Sequence, residues 1–229
     1  MSPSLNRRTL RRKRRSAGSI AAGALILLAL VGCSQSGGQP ILSGTPTVKL
    51  LPAKSAVAEL FGAEWAESTA PEELPRTELT PSDKADPERV GAGCAKASDD
   101  FYATFHAKDG ARVSYNNNGP NSAVLAVLRM ATVAKATVFV EKFGAIGKAC
   151  ENSPGSASID TRPLKSSVPG AVGFGSIDGS DGVPHITDRT MVIAKGDLVI
   201  MITSNLSTDQ IDKLIRLELD TITKLANAG

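Results

Sequence analysis

Thr190–Thr203 reads TMVIAKGDLVIMIT. Two apolar, β-capable runs, Thr190–Ala194 and Leu198–Thr203, flank Lys195-Gly196-Asp197. That order predicts a β-hairpin, with Gly196 free to take the positive φ its turn requires. Ser207-Thr208-Asp209-Gln210 comes straight after and has the spacing of a helix capping box. Behind it Ile211, Leu214, Ile215, Leu219, Ile222 and Leu225 recur at helical steps. They predict a long amphipathic helix with these side chains on its inner face.

The same reading extends toward the N-terminus. Ala123–Met130 (AVLAVLRM) is apolar and predicts a central strand. Thr132 is placed to cap a helix whose stripe of Ala136, Val140, Phe143, Gly147 and Cys150 steps by four, three, four and three. Phe101–Phe105 and Ala111–Tyr115 alternate like strands, and Asn116-Asn117-Asn118-Gly119-Pro120 reads as a turn. Leu50-Leu51-Pro52 opens a short helix, with Ser55 as its cap, Val57, Leu60 and Phe61 on one face, and Gly62 at its end. Glu64–Val90 contains Pro71, Pro75, Pro81 and Pro87 and reads as a long surface loop. Ser153–Ile186 reads as irregular, with one short strand at Ser158–Arg162. Hairpins with two long helices and no βαβ run predict an α+β fold. The expected architecture is a mainly antiparallel sheet packed on one face by the Thr132 and Ser207 helices.

The leader carries a different message. Arg7, Arg8, Arg11, Arg12, Lys13, Arg14 and Arg15 precede an uncharged, mostly apolar run from Ala17 to Gly32, and Cys33 follows. Basic region, apolar region and small residue are the order of a secretory signal. Leu30-Val31-Gly32-Cys33 makes it resemble a bacterial lipoprotein signal, which implies that residues 1–32 are removed and the Cys33 thiol is lipidated. The apolar run is about 16 residues, short of the roughly 20 needed to span a bilayer. Arg7-Arg8-Thr9-Leu10 also allows a twin-arginine export route. Ser34–Thr47 is uncharged and rich in Ser, Gly and Pro, so residues 33–47 read as lipidated cysteine plus flexible tether. A single extracytoplasmic domain is expected over 48–229. Acyl chains such as palmitate would hold it on the outer face of the cell membrane.

Removal of the leader changes the charge. The precursor is +3; the seven basic residues leave with no acid, so the mature chain is +3 − 7 = −4. A nucleic-acid partner is therefore not expected.

Three cysteines serve two purposes. With Cys33 lipidated, Cys94 and Cys150 remain as an even pair in an oxidising compartment, and a disulfide is the economical reading. Two separate buried thiols are the alternative. A bridge closing about 57 residues is worth roughly 4 kcal/mol in the chain-entropy model.

No catalytic motif is present. His106 and His185 are the only histidines, and neither has a nucleophile or a zinc-ligand cysteine at motif spacing. Gly173-Phe174-Gly175-Ser176 lacks the third glycine of a dinucleotide loop. Asp178-Gly179-Ser180-Asp181-Gly182 lacks the closing Glu of a calcium loop and reads as a turn. Asp99-Asp100 reads as a solvated pair, and Trp65 as a residue packed over the core. No catalytic, metal or cofactor site is expected.

The order of features resembles a family: the extracellular, ligand-sensing type of domain on some actinobacterial Ser/Thr kinases, which also occurs alone in actinobacterial lipoproteins. The resemblance lies in Leu50-Leu51-Pro52-Ala53 to Phe61-Gly62, Gly93-Cys94 to Phe101-Tyr102, Ala123 to Cys150, and Gly196 to Leu225. The order carries it, since each motif is short. Members usually carry four cysteines and often a Trp shortly before the helix-ending Cys. This mature domain has two cysteines, and Phe143-Gly144-Ala145-Ile146-Gly147 stands where the Trp is expected. The resemblance implies a lipid-anchored binding or sensing module without catalysis, whose partner is a small cell-envelope ligand or a protein. A small secreted hydrolase is the alternative. Ser153–Ile186, with six glycines from Gly155 to Gly182, is the candidate binding surface.

Overall fold

The computed structural model describes residues 42–80, 84–151, 161–178 and 185–228. The leader, Cys33 and most of the tether lie outside the described residues. A 3-10 turn at Thr47–Leu50 leads into α1 (Lys54–Phe61), β1 (Ala66–Glu73), α2 (Arg76–Leu79), α3 (Pro87–Val90) and α4 (Ala92–Tyr102). There follow β2 (Ala107–Asn116), β3 (Ser122–Met130), α5 (Val133–Ala149), β4 (Thr161–Pro163), β5 (Val172–Asp178), β6 (His185–Lys195), β7 (Leu198–Ser204) and α6 (Thr208–Ala228). The strands form one sheet in the order β1-β2-β3-β7-β6-β5-β4, and every neighbouring pair is antiparallel. The fold class is α+β, as expected.

Thr190–Thr203 and the helix start after it fold as their chemistry dictates. β6 and β7 pair from Arg189–Ser204 to Lys195–Leu198, and Gly196 takes φ 60° in the turn. The Ser207 backbone N–H donates to Gln210 Oε1 at 3.1 Å, and the Gln210 N–H donates to Ser207 Oγ at 3.4 Å, a reciprocal cap on α6. Thr132 caps α5 by accepting from the Lys135 N–H at 3.2 Å.

One expectation is corrected: the two long helices cover opposite faces of the sheet, not one. α6 packs Ile211, Leu214, Ile215 and Ile222 on Leu125, Val127, Met191, Ile200 and Ile202. α5 packs Ala136, Phe139 and Phe143 on Leu128, Met130, Val192 and Val199. Adjacent strand residues point to opposite faces, so a strand that is apolar at consecutive positions is buried on both. AVLAVLRM is such a strand.

Four local expectations also change. Phe101–Phe105 is not a strand; Phe101 lies in the last turn of α4 and Phe105 follows the helix, both packed in the α5-side core. Glu64–Val90 is not a continuous loop. It holds β1, an exposed, acidic edge strand whose register shifts accommodate Pro71. Ser55 lies inside α1, and Ala53 occupies the cap position. The described part of Ser153–Ile186 is largely strand, β4 and β5. Its glycines suit close packing: a Cβ on Gly173 would stand 2.6 Å from the Thr190 carbonyl oxygen, and one on Gly175 2.6 Å from Ile186.

Cys94 on α4 and Cys150 at the end of α5 form the disulfide, packed with Val90 and Ala95. Among the described residues no helix is long and apolar enough to cross a membrane.

Candidate functional site

The predicted binding surface contains an open groove of about 460 Å³ between α5 and the connection from β4 to β5. That is the size class of small-molecule sites. Val140, Gly144, Ala145, Leu164, Ala171 and Val172 give it an apolar wall, with Glu141 and Lys148 among its polar lining residues. Gly144 and Gly147 let α5 approach β5: a Cβ at these positions would lie 3.5 Å from Val172 and 3.0 Å from Phe174. Phe174 itself stacks on Phe143 with centroids 4.7 Å apart.

The far wall is tied to α6. Asp212 accepts from Ser166 Oγ, Ser167 Oγ and the Ser167 backbone N–H, each at 2.6 Å. Arg216 donates to the Ser167 carbonyl at 3.0 Å. Burial alone would push the Asp212 carboxyl up, but these serine bonds and the Arg216 charge outweigh it and hold the group below its usual value. The β4–β5 connection is thereby fixed to α6, and Leu164 and Ala171 pack against the α6-side core.

Two further clefts, about 490 and 380 Å³, meet over Pro46, Lys108 and Asp109 where the tether enters the domain. Arg129 is buried beside them. It donates to the Thr45 carbonyl at 2.9 Å and lies 3.4 Å from Asp109 and 3.5 Å from Asp197. This cluster pins the incoming chain to the end of β3.

The residues weighed from sequence do not converge. His106 is exposed, and among the described residues its imidazole has no hydrogen-bond partner. His185 opens β6 opposite Asp178, on the other side of the sheet order from β2. Residues 179–184, which carry most of the calcium-like turn, lie outside the described residues. Asp99 and Asp100 sit on α4 and separate: Asp99 accepts from the Ala85 N–H at 3.1 Å, while Asp100 pairs with Lys96 at 2.9 Å. The Lys96 hydrogen bond holds the Asp100 carboxyl below its usual value. Trp65 is 3% exposed, packed in the α6-side core and against Phe61 at 5.1 Å. Among the described residues no three His, Cys, Asp or Glu side chains come together as a metal site.

Sequence reading missed Glu218. It lies on the inner face of α6 between Ile215 and Ile222, is 0% exposed, and neither carboxyl oxygen has a hydrogen-bond partner. Burial pushes this carboxyl up to about 8. The signal was present: 215, 218 and 222 step by three and four, so the apolar stripe carries an acid at its centre.

The architecture is that of an antiparallel α+β domain with helices on both faces of one seven-stranded sheet, and a solved structure shares the fold. The extracellular domain of PknH from Mycobacterium tuberculosis superposes with a TM-score of 0.51 at 17% identity, covering 82% of this chain and 100% of that one. A putative uncharacterised protein, the Rv0999 ortholog from Mycobacterium smegmatis, aligns with a TM-score of 0.43 at 12% identity, covering 75% of this chain and 97% of that one. No protein-family profile and no curated protein matches the sequence.

Proposed function

We propose that this chain is a lipid-anchored extracytoplasmic sensing module of the cell envelope that binds without catalysing. The observation that carries it is the fold shared with the extracellular domain of PknH across the whole of that domain. The basic leader ending in Leu30-Val31-Gly32-Cys33 supports the anchor, and the mature charge of −4 argues against nucleic acid. The isolation of His106 supports a binding role over hydrolysis, because no base stands beside a nucleophile there.

The α5 groove is the binding site in this reading. Its apolar wall suits an acyl chain, and Lys148 suits an anionic head. Titration of the full-length protein in detergent micelles with a fluorescent palmitate analogue tests it. Saturable binding that falls when Ala171 is replaced by Trp is expected; equal binding by the two proteins rejects the groove. Cys33→Ser tests the anchor by fractionation. The variant should leave the membrane fraction or stay unprocessed. A variant cleaved after Gly32 and still membrane-bound rejects lipidation.

A further inference from the structure

An acid in the centre of an aliphatic helix face needs a reason. Ile211, Leu214, Ile215 and Ile222 are each 0% exposed, and Glu218 is as deeply buried as they are. α6 packs on α1 and on the Thr47–Leu50 turn, as well as on β6 and β7. An ionised carboxylate without solvent or donors is strongly disfavoured, so Glu218 sits in the core as the neutral acid.

The groups around it leave no cationic partner. From β2, Tyr115 has its phenol raised by burial first, and negative charge on Glu67 of β1 and on Glu218 disfavours the phenolate further. The Thr47–Leu50 turn carries Lys49, α1 carries Lys54 and Glu59, and β6 carries Arg189 and Lys195, yet burial is the one influence that shifts the Glu218 carboxyl. The Tyr115 hydroxyl is already committed, donating to the Pro52 carbonyl at 2.8 Å. Pro52 lies two residues before α1 begins.

We propose that Glu218 is a proton-controlled latch on this face: neutral, it lets α6 close on α1, and on losing its proton to solvent it loosens that packing. The ionised carboxylate needs a donor. The Tyr115 phenol, close enough to Glu218 for their charges to interact, supplies it, and drawing that hydroxyl away from Pro52 releases the entry to α1. The domain thereby gains a response to alkaline pH on the face opposite the α5 groove.

Trp65, the only tryptophan, is buried in the same core cluster and reports on the latch. Emission of the full-length protein in detergent should shift to the red as pH rises, with a midpoint near 8. Amide exchange in α1, corrected for its intrinsic pH dependence, should speed about tenfold from pH 7 to pH 9. Glu218→Gln keeps the shape, removes the charge and should abolish both changes. A Gln variant with the same transition overturns the proposal. Carboxyl NMR of glutamate-labelled wild type gives a reading free of any variant: one glutamate should titrate near pH 8, and a spectrum in which all glutamates titrate below pH 6 overturns it. Tyr115→Phe should keep that carboxyl titration; its loss assigns the event to the phenol and overturns the latch.

Discussion

The two faces of the sheet are closed by different means. On the α4–α5 face, Phe101, Phe105, Phe139 and Phe143 interlock edge to face, with Phe101–Phe139 at 4.9 Å and Phe105–Phe139 at 5.0 Å. The Cys94–Cys150 bridge then ties α4 to the end of α5. On the α6 face the core is mainly aliphatic around Trp65 and Tyr115, among the described residues no disulfide crosses it, and a carboxyl lies unpartnered inside it. The contrast teaches that one face is built to hold its shape, whereas the other carries a group whose protonation decides how well it packs.

The largest expected effect breaks the rigid side. Phe139 is fully buried and meets two aromatic rings. Phe139→Ala should cost about 3–5 kcal/mol in urea unfolding. Ile215→Ala on α6 lacks the aromatic pairs, each worth about 0.5–1.5 kcal/mol, and should cost less. Equal losses would mean that ring geometry adds nothing. Removing the bridge with Cys94→Ala and Cys150→Ala should cost about 2–5 kcal/mol. Trp65 emission below the unfolding transition should not change, because the tryptophan lies on the other face. Mass spectrometry of the native protein should find neither thiol alkylatable.

pH dependence sharpens the comparison, because the two perturbed carboxyls of α6 act with opposite sign. Glu218 has a folded pKa near 8 against 4.5 unfolded. Its contribution is fully present below 4.5 and is lost as pH rises through 8. The loss between pH 4.5 and pH 7 is about 3 kcal/mol. Asp212 is held below 3.8, so its contribution is present above that value and is lost as pH falls through the folded value. Stability should therefore peak near pH 4–5. Glu218→Gln should flatten the alkaline limb alone. Asp212→Asn should flatten the acid limb and cost about 1–3 kcal/mol, since it weakens the clamp on Ser166 and Ser167.

Local chemistry was legible in the sequence where one pattern had one reading. The hairpin at Gly196, the capping box at Ser207 and the helix from Thr132 are set by short-range geometry. Placement of the two long helices was misread as one-sided, although a sign was present: AVLAVLRM buries both faces of β3, which calls for a helix on each. The edge strand β1 escaped because an exposed strand needs no apolar alternation, and its prolines resemble loop punctuation. β5 escaped because glycines that admit neighbouring strands also resemble turn residues. The groove between α5 and the β4–β5 connection lies partly in the segment read as irregular, but α5, its opposite wall, was read as core alone. Nothing in the sequence pairs Asp212 with Ser166 and Ser167, 46 and 45 positions away.

The smallest expected effect probes how the groove is shaped. Gly144 and Gly147 lie one helical turn apart on the side of α5 that meets β5. In a helix, glycine costs roughly 0.5–1 kcal/mol relative to alanine through backbone entropy. A Cβ at Gly144 meets Val172 at 3.5 Å, an ordinary contact, so Gly144→Ala should raise stability by about that amount. A Cβ at Gly147 meets Phe174 at 3.0 Å, and Phe174 cannot retreat without leaving its stack on Phe143. Gly147→Ala should therefore lower stability by about 1 kcal/mol despite the better helix propensity. The variants also separate packing from binding. Gly144 lines the groove, so its methyl should weaken the palmitate analogue while the fold gains stability. A Gly144→Ala protein that is more stable and binds the analogue unchanged would place the acyl chain elsewhere.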